Sequence, residues 1–118
     1  MGDCVFCKIY DGKIPREKVY EDEYFFSVPD ANPQIKGHTL IISKKHYETI
    51  LDLPKKLEGD LLNAIKETFE KLKKKFNSDG FNIIQNNFKS AGQIVGHLHF
   101  HILPRNTDDD YKILIKKR

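Results

Sequence analysis

Three of the five histidines in this 118-residue chain stand at every second position, in His97-Leu98-His99-Phe100-His101-Ile102-Leu103, followed by Pro104-Arg105. Along an extended strand, side chains alternate between the two faces. Leu98, Phe100 and Ile102 therefore turn towards a core, while His97, His99 and His101 form a row on the other face. Neighbours in that row lie roughly 6.5–7 Å apart and its ends about 13 Å. With Zn–N bonds of about 2.0–2.1 Å, no single ion reaches all three, so at most two share a metal. Two further chemistries stay open to such a row. One is attack by a neutral imidazole on phosphorus, giving a phosphoramidate that water resolves, with the neighbouring rings orienting it. The other is anion binding without catalysis. The preceding loop favours phosphorus chemistry: Asn86, Ser90 and Gln93 carry polar donors, and Gly92 lets backbone N–H groups approach an oxyanion. The only two cysteines form Cys4-x-x-Cys7. In a reducing compartment that pair reads as a metal or redox site rather than a structural disulfide.

The elements that must position these residues are legible in outline. Residues 4–10 form a short helical turn, broken at Asp11-Gly12 and Ile14-Pro15. Residues 19–21 and 24–28 read as two strands joined by an acidic turn at Asp22-Glu23. Residues 29–33, with two prolines around Asp30, Ala31 and Asn32, form a loop. Thr39-Leu40-Ile41-Ile42 is a buried central strand after Gly37-His38, and Ser43-Lys44-Lys45-His46 lies at its end. From about Pro54 to Phe76, Leu57, Leu61, Leu62, Ile65, Phe69, Leu72 and Phe76 recur at spacings of three and four, so a long helix buries that stripe. Pro54 suits its first turn, the lysines at 71 and 73–75 its last, and Asp79-Gly80 its stop. Residues 81–85 form another strand. Pro104 cannot donate to a ladder, so the histidine strand ends there or runs along an edge. The tail from Asn106 begins exposed, and Tyr111, Ile113, Leu114 and Ile115 dock a final strand. The sum is α+β: an antiparallel sheet of about five strands, with one long helix and a short N-terminal one on one side of it.

Composition fits a single domain spanning residues 1–118, with 39% apolar and 31% charged residues. No apolar tract is long enough for a membrane span. The start of the chain lacks the basic and apolar regions of a signal peptide, which predicts a cytoplasmic address. A formal charge of +3, with cations and acids interleaved, is compatible with a small anionic substrate and too weak to argue for nucleic acid, so no nucleic-acid partner is expected.

The alternating stretch resembles the histidine-triad (HIT) motif, His-φ-His-φ-His-φ-φ with φ apolar. Cys4-Val5-Phe6-Cys7-Lys8-Ile9, Ile14-Pro15, the run from Val19 to Asp22, Gly37-His38-Thr39, Lys44-Lys45-His46, Asn86 and Gly92-Gln93 also resemble stretches of HIT proteins in the same order. The chain is most like the zinc-containing bacterial and archaeal type of the HINT-like branch. That resemblance implies a homodimeric hydrolase with a HIT-like antiparallel sheet, acting at the α-phosphate of a purine nucleotide. The bond cleaved is a phosphoramidate or a phosphoanhydride, as in AMP-X or a dinucleoside polyphosphate. By the same resemblance His99 is the nucleophile that forms a nucleotidyl-histidine, His101 contacts the phosphate, His97 orders the row and His38 supports it. Asn86, Gly92 and Gln93 fall on the phosphate side, Asp30 on the ribose, and Phe6, Ile9, Val28 and Ala31 around the base. Cys4, Cys7, His46 and His97 resemble a zinc-ligand set, and two Cys with two His make a closed structural site.

One position departs from the pattern. Many HIT proteins have Ser or Thr after the glutamine, with a hydroxyl that assists the leaving oxygen, and here Ile94 has no donor. The alternatives are a nucleotidyltransferase and a non-catalytic nucleotide-binding or interaction module. In the uridylyltransferase relatives the third triad position is Gln, so His101 favours hydrolysis, whereas Ile94 favours the non-catalytic module.

Overall fold

The computed structural model describes residues 3–113. Five strands carry the architecture: β1 Tyr20–Glu21, β2 Phe25–Pro29, β3 Thr39–Ser43, β4 Gly80–Ile84 and β5 His99–Arg105. All neighbours are antiparallel, in the order β1-β2-β3-β5-β4. Asp22 closes the first hairpin, its Oδ1 accepting from the N–H groups of Tyr24 and Phe25, each at 2.8 Å. The α+β class and the strand count are as the sequence predicts.

The two helices are α1, Val5–Tyr10, and α2, Glu58–Phe76. They cover opposite faces of the sheet, which corrects the expectation that both lie on one side. Leu61, Ile65, Phe69 and Leu72 of α2 pack with Phe25, Ile41, Leu98, Phe100 and Ile102. Phe6 and Ile9 of α1 pack with Phe26, Val28, Leu40 and Ile42, the alternate residues of the same strands. A six-residue helix with two apolar side chains carries too little pattern to show which face it covers. Its position matters, because β5 registers Leu40 opposite His101 and Ile42 opposite His99. Residues directly opposite share a face, so these histidines point to the α1 side. The face opposite Leu98, Phe100 and Ile102 is therefore covered by protein around His97 and His99, which are 0% and 7% exposed.

Three boundaries differ from the sequence reading. Residues 55–57 form a 3₁₀ turn ahead of α2, and Pro54 precedes it in an extended conformation. The helix stops at Asn77, whose left-handed φ of 51° and ψ of 43° end it, since Asn tolerates that region. Gly80 begins β4 instead, and the Asp79 N–H donates to the Arg105 carbonyl at 3.1 Å. Leu62, although on the periodic stripe, is 57% exposed.

Pro104 sits within β5, opposite Phe81 of the edge strand β4. On the other side β3 pairs with β5 only as far as Ile102. The Arg105 carbonyl serves the β4 side, and alternate residues bond to opposite sides. The missing N–H of Pro104 therefore faces the side where β3 has already ended. Residues 111–113 are not in a strand, and Leu114 and Ile115 lie outside the described residues. Among the described residues, no helix is long and apolar enough to cross a membrane.

Candidate active site and metal centre

A cavity of about 530 Å³ opens on the α1 side of the sheet. His99 and His101 from β5 line it, as do His38, Asp30, Asn86 and Gly92 from loops. Phe6, Ile9, Val28 and Ala31 form an apolar wall, to which Leu40 and Leu103 add. The sequence therefore selected residues that converge in space. Gln93 and Ser90 do not line the cavity. The Gln93 amide is spent on its own loop, where Oε1 accepts from the Phe88 N–H at 2.7 Å and Nε2 donates to the Glu48 and Val95 carbonyls at 2.7 and 3.1 Å. This corrects the phosphate-side placement of Gln93: its side chain shapes the loop that carries Asn86 and Gly92. Gly92 ends that loop's 3₁₀ turn at φ 94°, a left-handed conformation that only glycine adopts freely.

Backbone partners fix the histidine tautomers. The His97 carbonyl can only accept, so His99 Nδ1, 2.7 Å away, carries the proton and donates it. His99 Nε2 is then the ring nitrogen with a free lone pair. The Gln34 N–H donates to His38 Nδ1 at 3.0 Å, which places the His38 proton on Nε2. That Nε2 lies 2.9 Å from His101 Nδ1 and 3.3 Å from Asp30 Oδ2. With Nδ1 accepting from His38, a neutral His101 carries its own proton on Nε2. One ring thus offers an electron pair and its neighbour a proton, with ring centroids 5.1 Å apart. The edge of Phe6 packs against His99 at 4.9 Å between centroids and limits its rotation.

Burial keeps the row neutral. It is the largest cause pushing His101 down to about 4, assisted by His99 and His38 and opposed by the Asp30 carboxylate. His99 and His38 are lowered as well, again chiefly by burial. Because the folded value of His101 lies below the unfolded value of about 6.5, the unfolded chain takes up this proton first as pH falls. The stability that neutral His101 supplies is complete above about 6.5 and is lost progressively as pH falls through the folded value. The urea midpoint of the wild type is expected to drop between pH 7.5 and pH 5, and His101→Asn to make that drop smaller. A drop of equal size in both proteins would contradict the assignment.

On the far side of His97 lies a second cluster. Cys4 and Cys7 Sγ and the Nδ1 atoms of His46 and His97 all lie within 4.8 Å of one another. Cys4 Sγ is 3.2 Å and Cys7 Sγ 3.5 Å from His97 Nδ1, and Cys7 Sγ is 3.2 Å from His46 Nδ1. Tetrahedral zinc with bonds of about 2.0–2.3 Å needs ligand-to-ligand distances of about 3.3–3.8 Å, so the donor set fits. Its surroundings fit too. His97 Nε2 donates to the Ser43 carbonyl at 2.7 Å, which leaves Nδ1 as the ligand atom. Cys4 caps α1 while its Sγ accepts from the Cys7 N–H at 3.4 Å. Burial, then the neighbouring Cys4, pushes the Cys7 thiol up to about 11.

The sequence reading missed Tyr111, which also lines the cavity. Arg105 brings it there. The guanidinium grips Asp109 through Nε at 2.9 Å and Nη2 at 2.7 Å, and Nη2 also donates to the Tyr111 carbonyl. The i, i+4 spacing of Arg105 and Asp109 was the available signal.

Comparison with known proteins places this geometry. The family model described as HIT domain matches residues 11–108. An uncharacterised HIT-like protein of Methanocaldococcus jannaschii is 48% identical over 90% of this chain and 81% of its own length. The adenylylsulfatase HINT3 of Arabidopsis thaliana is 40% identical over 92% of this chain and 55% of its own. The adenosine 5′-monophosphoramidase HNT1 of Saccharomyces cerevisiae is 37% identical over 89% of this chain and 64% of its own. A crystal structure of a Streptococcus mutans protein superposes with a TM-score of 0.90 at 41% identity, covering 100% of this chain and 75% of that one.

Proposed function

The chain belongs to the HIT family, and on that premise we propose that it hydrolyses the bond at the α-phosphate of a purine nucleotide, AMP-X, through a nucleotidyl-histidine intermediate. The observation that carries the reading is the pair of opposed ring nitrogens, the free Nε2 of His99 and the protonated Nε2 of His101. His99 Nε2 attacks phosphorus, and His101, charged by a proton it takes up beside the anionic phosphate, gives its Nε2 proton to the departing atom. The His99 Nδ1–H bond to the His97 carbonyl strengthens as the ring gains positive charge. Water then attacks the phosphorus, gives a proton to His101 and frees His99. The names of HINT3, an adenylylsulfatase, and HNT1, an adenosine 5′-monophosphoramidase, imply X as sulfate or an amine in those proteins and support this substrate class. Phe6, Ile9, Val28 and Ala31 form the base wall, Asp30 takes the ribose hydroxyls, and Asn86 with the Gly92 backbone faces the phosphate.

Zinc at Cys4, Cys7, His46 and His97 completes the proposal, with a structural role. Two thiolates and two imidazoles leave no open position for a reacting group. Metal bound at His97 Nδ1 would hold the residue whose carbonyl orients His99. Two free thiols in such a cluster also suit a reducing, cytoplasmic address.

The chain, taken as one HIT domain, works as a homodimer in this reading. Support comes from β4, an edge strand with no partner on its outer side among the described residues. It exposes Phe81 and Ile83, and an apolar edge of this kind is a template for pairing. Ile83→Asp is expected to shift the sedimenting species from dimer to monomer, and an unchanged dimer would contradict this interface. Turnover of AMP-morpholidate, AMP-lysine and diadenosine tetraphosphate, with His99→Ala as control, tests the activity. Tight AMP binding without turnover would instead favour a nucleotide-binding module.

A further inference from the structure

The Cys4, Cys7, His46 and His97 cluster is open to solvent on one side. A depression of about 400 Å³ lies beside the catalytic cavity, and its lining includes Cys4 and His46. Cys7 and His97 are not part of that lining, and His97 is 0% exposed. Of the two sulfurs, a small molecule from solvent therefore meets that of Cys4 first. Gly96 leaves part of the wall bare, since a Cβ built there meets nothing closer than Glu48 Oε2, at 4.0 Å. Cys4 is the N-cap of α1 and Cys7 lies three residues on, its N–H donating to Cys4 Sγ at 3.4 Å. One turn of backbone thus sets the two sulfurs side by side, within 4.8 Å of each other. Both cysteines are half-buried and neither is in a disulfide. Two thiolates on one tetrahedral ion stand about 3.8 Å apart, whereas an S–S bond is about 2.05 Å long. The bridge and the metal exclude each other.

We propose that Cys4 is a site of oxidative modification: a peroxide entering through this depression converts Cys4 and Cys7 into a disulfide and expels the zinc. The inference rests on the metal reading above. As metal ligands both sulfurs are thiolates, the form that attacks an oxidant. The Cys4 sulfur attacks one oxygen of hydrogen peroxide, the O–O bond breaks, and the departing hydroxide leaves as water with a solvent proton. Cys4 is then a sulfenic acid. The Cys7 sulfur attacks it, the S–S bond forms as the S–O bond breaks, and hydroxide again leaves as water with a second solvent proton. Each sulfur gives up one electron, and the peroxide takes both. Only the two imidazoles of the donor set remain, so the ion departs. The loss reaches the catalytic cavity by two routes. His97, freed at Nδ1, keeps its Nε2 bond to the Ser43 carbonyl, while its own carbonyl orients His99. The six residues of α1 carry Phe6 and Ile9 of the cavity wall, and a helix that short does not stand alone once untied. Oxidation therefore lowers turnover, and reduction followed by zinc restores it.

Hydrogen peroxide added to the full chain, purified without a metal-affinity tag and mixed with a weak chromophoric zinc chelator, tests this. One zinc per chain should appear as both thiols disappear at the same rate, and the mass of the chain should fall by two hydrogens. Peptide mapping should join Cys4 to Cys7 within one chain. Dithiothreitol followed by zinc should restore mass, metal content and turnover together. Gly96→Val narrows the depression and is expected to slow zinc release several-fold at equal peroxide, from an unchanged starting zinc content. Zinc and thiols that both survive the peroxide, or zinc released equally fast without it, would overturn the proposal. Disulfides between chains, or a Gly96→Val rate equal to that of the wild type, would do the same for the pairing and for the route. Protein with no zinc before peroxide is added refutes the metal reading itself, a result distinct from zinc that is present and stays.

Discussion

His99→Ala is expected to lower kcat/KM for AMP-morpholidate by about 10⁴-fold or more, because the covalent route is lost with its nucleophile. The folded structure should survive the change. His99 packs against Phe6 and bonds to a backbone carbonyl, but the core clusters on both faces of the sheet do not include it. His101→Gln removes a proton donor rather than the nucleophile, so a smaller loss of about 10²- to 10³-fold is expected. That loss should be greatest for poor leaving groups, which need the proton most. Steady-state kinetics of both variants against amides of graded amine basicity check the distinction. Equal losses for every leaving group would mean that His101 only binds phosphate.

Cys4→Ser is expected to produce the second large effect, on metal content and stability together. A metal present at a thousandfold excess over its Kd stabilises the native state by about 4 kcal/mol. In a domain of this size that amounts to a fall in Tm of about 15 °C when the metal is lost. Activity should fall as well, since metal lost at His97 Nδ1 loosens the residue whose carbonyl holds His99 Nδ1 at 2.7 Å. Elemental analysis of protein purified without a metal-affinity tag, with calorimetry of the same samples, gives the answer. Wild type without zinc, or a variant with unchanged Tm and metal content, would remove the structural metal from the account.

How much of this was legible beforehand follows from what kind of signal each feature leaves. Alternation at 97–102 is a strong local pattern, and it turned Leu98, Phe100 and Ile102 towards a core, which the structure builds against α2. The α2 stripe was equally plain, though the helix ends were not. Asn77 and Gly80 both suit a left-handed stop, and pairing of β4 with β5 decided between them. The side taken by α1 was not legible, because it depends on the tertiary docking of Phe6 and Ile9. Resemblance supplied the site residues, most of which do converge on one cavity. Gln93 shows the limit of that transfer: residue type suggested a phosphate contact, while the loop's own carbonyls and N–H groups claim the side chain. The relay from Gln34 through His38 to His101 left no sequence signal, since a backbone N–H fixes it.

The central claim is that His99 Nε2 becomes covalently bonded to the α-phosphorus. Rapid acid-free quenching of the enzyme with AMP-morpholidate, followed by mass spectrometry of the intact protein and its peptides, tests it directly. The account predicts a mass increase of one adenylyl group, confined to the peptide carrying His99, labile to acid and absent from His99→Ala. Sustained turnover with no adduct at any quench time, or an adduct on His97 or His101 instead, would contradict it.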